Sequence, residues 1–367
     1  MQNGSYSRRF GLSQSAAKDW EKMSPAKWKR IWVEGAERTV REDHFDFGSL
    51  TDCLLFTKDR LKDHFVVADT NMKLPSEQIK KILDHVYRLH INVEKFKERS
   101  GMIVFGEPEL KDYGNEIFEI SRQADINYGK GSFPKERVIK EVTEKGLGYF
   151  EKLCEVSGKT IISFDDNMSA LGLVDILRTH PVSRPYFVEQ EGERLLFQHE
   201  IFIPIKEYGI LPFFRENKME DHTLYKKCAL DIVRINHIKR TIQNADLKTS
   251  YDAYKHNFTR SIRKFKYGTQ VSYYDVMLAE WRDRHYPGYN IVPPVNIAID
   301  KFMKKPQLYR YRKEDMELLR FGGTDKQGNK IKGWEESLAE MIWHIENNIW
   351  DNSREMVEQQ YIDVQLF

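Results

Sequence analysis

Three acidic residues and one lysine in the second half of the chain have types and spacing that could support metal-assisted chemistry. Glu200, Asp231 and Asp246 each fall in a stretch rich in apolar and β-branched residues, and Lys248 follows the last acid by two positions. Side chains alternate between the two faces of a strand, so Asp246 and Lys248 should project from the same face. The 15-residue spacing between Asp231 and Asp246 suits adjacent strands joined by a turn. The pattern therefore predicts that the two aspartates lie side by side.

Such charges are expensive to bury unless something compensates them, and a divalent metal is one such compensation. Carboxylate oxygens bind Mg²⁺ or Mn²⁺, while water and a substrate phosphate complete the coordination. The metal lowers the pKa of bound water and stabilises charge on phosphoryl oxygens, and a neighbouring lysine can hold the water or stabilise that charge. These residues predict phosphodiester hydrolysis. The alternative is that Asp246 and Lys248 are solvent-exposed charges that protect a strand edge from aggregation.

The elements that would position these residues are a sheet flanked by helices. Apolar and β-branched runs predict strands at Arg194–Ile205, Lys226–Ile235, Thr241–Thr249 and Val295–Asp300. Helical periodicity predicts helices over Ala16–Lys22, Gly48–Leu55, Leu74–Phe96 and Ser261–Arg282, and a long acidic helix or helix pair over Trp334–Tyr361. The fold class is therefore α/β (α+β), with one central mixed sheet. We expect a single main domain over residues 1–333, helical to about 190 and with the catalytic sheet at about 190–310, followed by an acidic helical extension at 334–367.

Composition narrows the class of protein. The chain has 367 residues, 40% of them hydrophobic, and a mean hydropathy of −0.63, with no apolar run of the length a membrane helix needs and no apolar signal-peptide core. Its three cysteines, Cys53, Cys154 and Cys228, lie far apart. They predict neither a disulfide framework nor an iron–sulfur cluster within one chain. The composition favours a cytoplasmic protein that does not interact with a membrane.

The charge is unevenly distributed, although the net charge is only +2. Residues 221–270 carry a net +7, whereas residues 335–363 carry −7. Within the basic segment, candidate phosphate contacts are Lys255, Arg260, Arg263, Lys264 and Lys266. The alternative is an ordinary solvated helix face. Next to a phosphodiester-cleaving site, the phosphate-binding interpretation is favoured.

Several motifs resemble those of a known superfamily. Asp231 followed by Asp246-Leu247-Lys248 resembles the signature of the PD-(D/E)XK nucleases, and 270–274 (QVSYY) resembles the Q-x-x-x-Y motif of the RecB-like members. Glu200 stands where this group supplies a glutamate ligand. Segments 12–18 and 23–28 resemble the opening helix of the exonuclease VIII (RecE)-like phage-type branch. The helix at 48–55 also resembles that branch but has Asp52 in place of a histidine. The resemblance covers most of residues 10–310.

The resemblance implies a restriction-endonuclease-like core and a role for each matched residue. Metal ligands would be Glu200, Asp231, Asp246, the Leu247 carbonyl and Asp52, with Mg²⁺ or Mn²⁺ as cofactor. Lys248 would position or activate water. Gln270 and Tyr274, four residues apart and so on one side of a helix, would shape the site and contact the substrate backbone.

The implied activity is that of a metal-dependent DNA exonuclease, a hydrolase acting on double-strand ends in recombination or repair. A single-strand-annealing protein as partner, a homo-oligomer and a phage origin are further implications of the resemblance. Two alternatives stay open: a structure-specific or single-strand endonuclease on the same site, and a catalytically silent nucleic-acid-binding protein of the same fold.

Overall fold

The chain contains a larger α+β unit and a smaller, mainly helical unit. The computed structural model describes residues 11–35, 44–100, 109–123, 126–205, 210–215, 218–302 and 304–360. By its internal contacts, one compact unit comprises Met1–Arg38 with Leu173–Phe367, and the other comprises Thr39–Gly172. The domain boundaries expected from the sequence stay a prediction.

Helices and strands are numbered here in chain order. The helices are α1 (Gln14–Trp20), α2 (Pro25–Trp32), α3 (His44–Phe56), α4 (Leu61–His64), α5 (Glu77–Ser100), α6 (Gly114–Ser121), α7 (Lys135–Glu155), α8 (Phe164–Thr179), α9 (Lys255–Phe265), α10 (Tyr267–His285), α11 (Lys313–Phe321), α12 (Trp334–Asn347) and α13 (Arg354–Gln359). The strands are β1 (Gly11–Leu12), β2 (Phe65–Val67), β3 (Thr160–Ile162), β4 (Glu193–Pro204), β5 (Ile210–Arg215), β6 (Lys218–Thr223), β7 (Tyr225–Asn236), β8 (Thr241–Ser250), β9 (Asn290–Ile291), β10 (Val295–Asp300), β11 (Gln307–Arg310), β12 (Gly323–Thr324) and β13 (Lys330–Ile331).

The mixed central sheet lies in the larger unit, which confirms the predicted fold class. Its path is β1-β7-β8-β10-β11, with β4 also paired to β7 and β9 to β8. The β7–β8 and β4–β7 pairs are antiparallel, whereas β8 and β10 are parallel. The predicted strands match β4, β7 and β8 to within a residue at each end, and Val295–Asp300 matches β10. The strand bounds could be predicted because each of these strands contains a run of apolar residues, and a buried strand needs apolar residues on at least one face.

Strand β7 pairs with one strand along one edge and with two different strands along the other. On one edge β7 pairs with β4 along its length. On the other edge it pairs with β1 at Tyr225 and Lys226 and with β8 from Ile232 onward. Among the described residues, the stretch between these two contacts, which contains Asp231, has no strand paired to this edge. This gap in the sheet is where the candidate site lies.

Helix α10 covers the sheet and supplies much of the core. Tyr273, Met277 and Leu278 of this helix are buried against β4 and β7 residues, including Ile201 and Val233. The apolar side chains predicted to face the core at the site, Leu230, Ile232, Ala245 and Leu247, are buried. The hydrophobic contact between α10 and the sheet thus fixes the strands that carry the acids.

Two features differ from the sequence prediction. The predicted single helix over 261–282 is two helices, because the backbone of Lys266 takes a left-handed conformation with φ 56° and ends α9. The hairpin of β5 and β6 was not predicted, so Glu200 and Asp231 do not lie on strands that are consecutive in the chain. Apolar periodicity runs through the helix break without interruption, and Pro212 and the polar composition of β6 hide the hairpin.

The acidic C-terminal segment folds as two helices, α12 and α13. Helix α12 belongs to the core of the larger unit, where Met341 and Ile342 are buried with Trp28 of α2 and Trp20 of α1. The Trp20 indole also donates a hydrogen bond of 2.9 Å to a carboxylate oxygen of Glu340. The predicted extension therefore packs into the body of this unit through α12.

The smaller unit has its own helical core around α5, α6 and α7. Leu83, Val86, Ile117 and Val142 are completely buried there, and β2 and β3 form a short parallel pair beside them. Asp52, on α3, belongs to this unit and is half-buried. Nowhere in the described ranges is a helix both long and apolar enough to cross a lipid bilayer.

Candidate active site

Asp231 lies where the β7–β8 ladder ends. The last paired residues are Ile232 and Ala245, one step before Asp231 and Asp246. Beyond that point a side chain replaces the backbone as hydrogen-bond partner of β8. The Oδ2 atom of Asp231 accepts a 3.0 Å hydrogen bond from the Leu247 backbone N–H. The two aspartates are thus neighbours on adjacent strands, as their spacing predicts.

Gln198 holds Asp231 from the opposite strand. Its Nε2 donates to Asp231 Oδ1 at 3.2 Å. Gln198 lies between the paired positions Phe197 and His199 of β4 but has φ 47°, a left-handed conformation unusual for a non-glycine residue. A residue held in this region costs of the order of 1–3 kcal/mol, and such strain persists where the surroundings enforce it, often at functional sites. The distortion aims the amide at the Asp231 carboxylate.

Asp246 is almost completely buried, with 1% of its side chain exposed, and is held by two donors. Lys248 Nζ lies 2.6 Å from its Oδ2, and Asn296 Nδ2 donates to the same oxygen at 2.7 Å. Asn296 is the residue of β10 that stands opposite Asp246 in the parallel register. The Tyr311 hydroxyl donates to Asn296 Oδ1, which fixes the amide with its nitrogen toward Asp246. A chain of hydrogen bonds therefore connects Tyr311 to Asp246.

Lys248 is protonated in this setting. Burial by itself would lower the pKa of Lys248, but the Asp246 and Asp231 carboxylates outweigh burial and raise it. The ammonium also lies 4.9 Å from the centre of the Tyr267 ring, a cation–π contact that favours the charged form. In its protonated form Lys248 is a hydrogen-bond donor and a positive charge. Its predicted part in positioning or activating water stays a prediction.

The site has more negative than positive charge to accommodate. The pKa of Asp231 is raised, first by burial of its carboxylate and then by the negative charge of Asp246. Lys248, the Leu247 N–H and Gln198 oppose that shift without cancelling it. Two enclosed carboxylates facing one ammonium are what a divalent cation would neutralise.

The donor set fits Mg²⁺ or Mn²⁺ through two carboxylates. Magnesium commonly binds through one or two carboxylates and keeps water and phosphate oxygens as its other ligands. Within the described part of the chain, no cluster of three or more His, Cys, Asp or Glu side chains is gathered closely enough to hold a metal. Of the predicted ligands, Asp231 and Asp246 are the two side chains that the structure places as neighbours, and their binding of a metal stays a prediction. Glu200 lies nearby on β4, paired opposite Ala229, and its part in a metal shell stays a prediction.

The other predicted ligands are placed less directly. Leu247 is used through its N–H, which bonds to Asp231, and ligation by its carbonyl stays a prediction. Asp52 lies in the smaller unit, and its predicted role likewise stays a prediction.

Gln270 and Tyr274 lie on one side of α10, as their spacing predicts. Gln270 Nε2 donates to the Tyr274 hydroxyl at 3.1 Å, so the two side chains form one polar unit on the first turns of the helix. The same end of α10 carries Tyr267, whose ring contacts Lys248. This shared helix end is what links the Q-x-x-x-Y motif to the candidate site. Contact with a substrate backbone stays a prediction.

The predicted phosphate-binding residues lie on α9 and at its end. Lys255, Arg260, Arg263 and Lys264 are exposed, whereas Lys266 is partly buried and forms an ion pair with Glu21. Phe258 on the opposite face is fully buried and anchors the helix. The exposed basic residues thus lie outside this packed core, and two of the five predicted contacts have an acidic neighbour: Glu21 for Lys266 and Asp325 for Arg263.

Sequence reasoning missed four contributors to the site: Gln198, Tyr267, Asn296 and Tyr311. Asn296 left a signal, because it is a polar residue within the apolar strand 295–299. Gln198 left none, since its backbone conformation cannot be read from its type. Tyr311 lies 65 residues from Asp246 along the chain, and only the placement of β10 and β11 brings it near.

Comparison with known proteins finds matches among solved structures. No protein-family model matches the chain, and no curated protein matches it. Among solved structures, it is similar to a crystal structure of a “Putative exonuclease” from Eubacterium rectale. The two are 11% identical, the match covers 81% of this chain and 97% of the other, and the TM-score is 0.30.

Proposed function

We propose that this protein is a Mg²⁺- or Mn²⁺-dependent nuclease that hydrolyses phosphodiester bonds of DNA. The observation that carries the proposal is the under-compensated pair of Asp231 and Asp246, with the protonated Lys248 2.6 Å from Asp246. A site that lacks positive charge in this way suits a divalent cation and the phosphate that it would bind. The exposed basic residues of α9, which begins seven residues after Lys248, support a polyanionic substrate.

Each residue of the site has a definite task in this proposal. Asp231 and Asp246 would hold the metal, which supplies Lewis-acid stabilisation of the phosphoryl oxygens and a more acidic water. Lys248 donates a hydrogen bond that orients the attacking water or stabilises charge on the phosphate. Gln198 and Asn296 hold the two carboxylates in place. The Gln270–Tyr274 unit is available to contact the substrate backbone.

The resemblance of the motifs extends the proposal to biology. On that ground we propose action on double-strand DNA ends in recombination or repair, in a homo-oligomer working with a single-strand-annealing protein. A pull-down with such a partner and a mass measurement in solution would test these extensions separately from the chemistry.

The test of the chemistry is cleavage of linear and of circular DNA by wild type and Lys248→Ala, with Mg²⁺, with Mn²⁺ and with chelator. We expect metal-dependent loss of linear DNA, reduced by about 100-fold or more in the variant. Lys313→Ala, which removes an exposed lysine of α11, is the matched control and should cleave like wild type.

The pattern of products separates the alternatives. Cleavage of circles as well as linear DNA would replace the exonuclease assignment by an endonuclease on the same site. Binding of DNA without cleavage with either metal would favour a catalytically silent protein. Cleavage that Lys248→Ala leaves unchanged would contradict the assigned site.

A further inference from the structure

Two aromatic rings stand in solvent just beyond the ends of the parallel strands β8 and β10. Tyr251 follows β8 and is 86% exposed, and Phe302 lies two residues past β10 and is 67% exposed. Their ring centres are 5.7 Å apart with an interplanar angle of 73°. Apolar rings left in water carry a cost that burial against a ligand would relieve. We call these two residues the aromatic pair.

The backbone beneath the aromatic pair is firmly held. Beside Tyr251, the Tyr309 hydroxyl donates to the Ala253 carbonyl at 2.5 Å, and Ser250 Oγ donates to the Asp252 carbonyl at 3.0 Å. The Phe302 N–H donates to Asp300 Oδ1 at 3.0 Å. Ala253, one of these anchor points, is itself buried in a small core with Phe258 of α9. The rings are therefore exposed on a fixed support, so a ligand that stacks on them would lose little entropy in ordering the protein.

The position of the aromatic pair connects it with the candidate active site. Tyr251 follows Lys248 by three residues, so their Cα atoms are at most about 11 Å apart. At the rise of about 3.4 Å per base along one DNA strand, this distance is about three base steps. On the other side, the half-exposed Tyr254 leads into α9, whose face carries the exposed Lys255 and Arg260. Along the chain after Lys248, exposed aromatic side chains thus come first and exposed positive charges come next.

We propose that the aromatic pair is a stacking surface for unpaired bases of single-stranded DNA whose backbone runs between Lys248 and α9. This inference rests on the proposed function and deepens it by naming single-stranded DNA as the form held beside the site. Every base has an apolar face, so stacking of this kind tolerates all sequences, and a basic surface alongside tracks the phosphates. A duplex end would have to be opened by a few base pairs to reach the aromatic pair.

The test measures binding without cleavage, in chelator, using single-stranded oligonucleotides. In one series the fluorescent base 2-aminopurine is moved along the strand, and in a second series an abasic residue is moved likewise. Proteins are wild type, Tyr251→Ala, Phe302→Ala, Tyr251→Trp and the matched control Phe321→Ala, which removes a ring that is 60% exposed at the end of α11. Thermal unfolding of each variant confirms that the fold is kept.

We expect Tyr251→Ala and Phe302→Ala each to weaken binding by about 5- to 150-fold. Tyr251→Trp and Phe321→Ala should bind like wild type. An abasic residue at one position should weaken wild type but add little to Tyr251→Ala, because the same stacking contact is removed twice. At that position 2-aminopurine fluorescence should be quenched by wild type and restored in the alanine variants.

Three results would overturn the inference. If both alanine variants bind as tightly as wild type and quench equally, while Mg²⁺- or Mn²⁺-dependent cleavage persists, the stacking surface is refuted and the nuclease assignment stands. If the same variants weaken duplex and single-stranded DNA equally, with no position dependence, the rings do not receive bases. Absence of both binding and cleavage in wild type would refute the inference together with the proposed function.

Discussion

Two carboxylate–cation groups that both involve strand β7 contrast sharply, one between β4 and β7 and the other between β7 and β8. Near the hairpin turn that joins β7 to β8, Glu193 is 4% exposed in its side chain and is held by Arg234. The guanidinium donates from Nε at 3.0 Å and from Nη2 at 2.5 Å, and Asn236 Nδ2 adds a third bond of 2.8 Å. Where the β7–β8 ladder ends, the two carboxylates of Asp231 and Asp246 face the single ammonium of Lys248.

The pKa shifts of the two groups have opposite directions. Burial by itself would raise the pKa of Glu193, but Arg234 and Asn236 outweigh burial and lower it. Burial and the charge of Asp246 raise the pKa of Asp231, and Lys248 does not compensate for them. Strand β7 therefore contributes to a satisfied structural ion pair near the hairpin turn and, at Asp231, to a site with more negative than positive charge. We interpret the first as a contribution to stability and the second as a contribution to function.

The largest effect is expected from breaking the ion pair between Glu193 and Arg234. Arg234→Ala should lower the free energy of unfolding by about 3 kcal/mol, because Glu193 is left charged and nearly buried, with the Asn236 hydrogen bond and the charge of Lys239 as its support among the described residues. Chemical denaturation followed by circular dichroism measures this effect. The rate of DNA cleavage per folded molecule should be unchanged. Lys313→Ala is the matched control, since the Lys313–Glu317 pair is exposed and should contribute no more than about 0.5 kcal/mol.

The same variant has a diagnostic dependence on pH. Because the folded state lowers the pKa of Glu193 from its ordinary 4.5, the stabilisation is present above that value and is lost as the pH falls through the lowered one. In Arg234→Ala the unpaired carboxylate favours protonation, so the difference in stability from wild type should shrink in acid. A difference that grows in acid would contradict the assignment of Arg234 as the compensating charge.

The next largest effect concerns the pair of Asp231 and Asp246 and the metal ion that they would bind. In chelator, Asp231→Asn should be at least as stable as wild type, because it removes one of two facing carboxylates and keeps an oxygen for the Leu247 N–H. With Mn²⁺ at about 100 times its dissociation constant, wild type should gain about 2.7 kcal/mol, whereas the variant should gain much less. Thermal unfolding across a metal titration measures both.

The exposed Asp283, which pairs with Arg282, provides the control. Asp283→Asn should keep the full stabilisation by Mn²⁺. An equal gain in Asp231→Asn would place the metal elsewhere and remove the contrast between the two groups.

Part of this contrast could be predicted from the sequence. That part involves residues that are close to one another along the chain. Asp246 and Lys248 are two positions apart on one strand, and Asp231 lies one turn away, so their meeting followed from strand alternation and the length of the β7–β8 connection. The same reasoning set the strand bounds, since apolar runs mark buried strands. The partners that hold the carboxylates were not predictable in this way. Asn296 depends on the parallel register of β8 with β10, and Gln198 depends on a backbone conformation that its residue type does not indicate.

The smallest expected effect tests the indirect support of Asp246. Tyr311→Phe removes the hydroxyl that fixes the Asn296 amide, so the amide can turn and lose its bond to Asp246. The loss of about one hydrogen bond, of the order of 1 kcal/mol, should lower kcat about five- to tenfold. The metal concentration for half-maximal rate should rise, while KM for DNA should stay near the wild-type value. Steady-state kinetics at several Mn²⁺ concentrations measure all three quantities.

Tyr309→Phe is the matched control, because Tyr309 lies two residues earlier and its hydroxyl bonds to the Ala253 carbonyl beneath Tyr251. Its loss should loosen the support of the aromatic pair, raise KM for DNA and leave the metal dependence unchanged. Comparison of Tyr311→Phe with Tyr309→Phe thus distinguishes an effect on metal binding from an effect on DNA binding. If Tyr311→Phe raises KM with no change in metal dependence, Tyr311 does not act through Asp246, and the hydrogen-bond chain from Tyr311 is only structural.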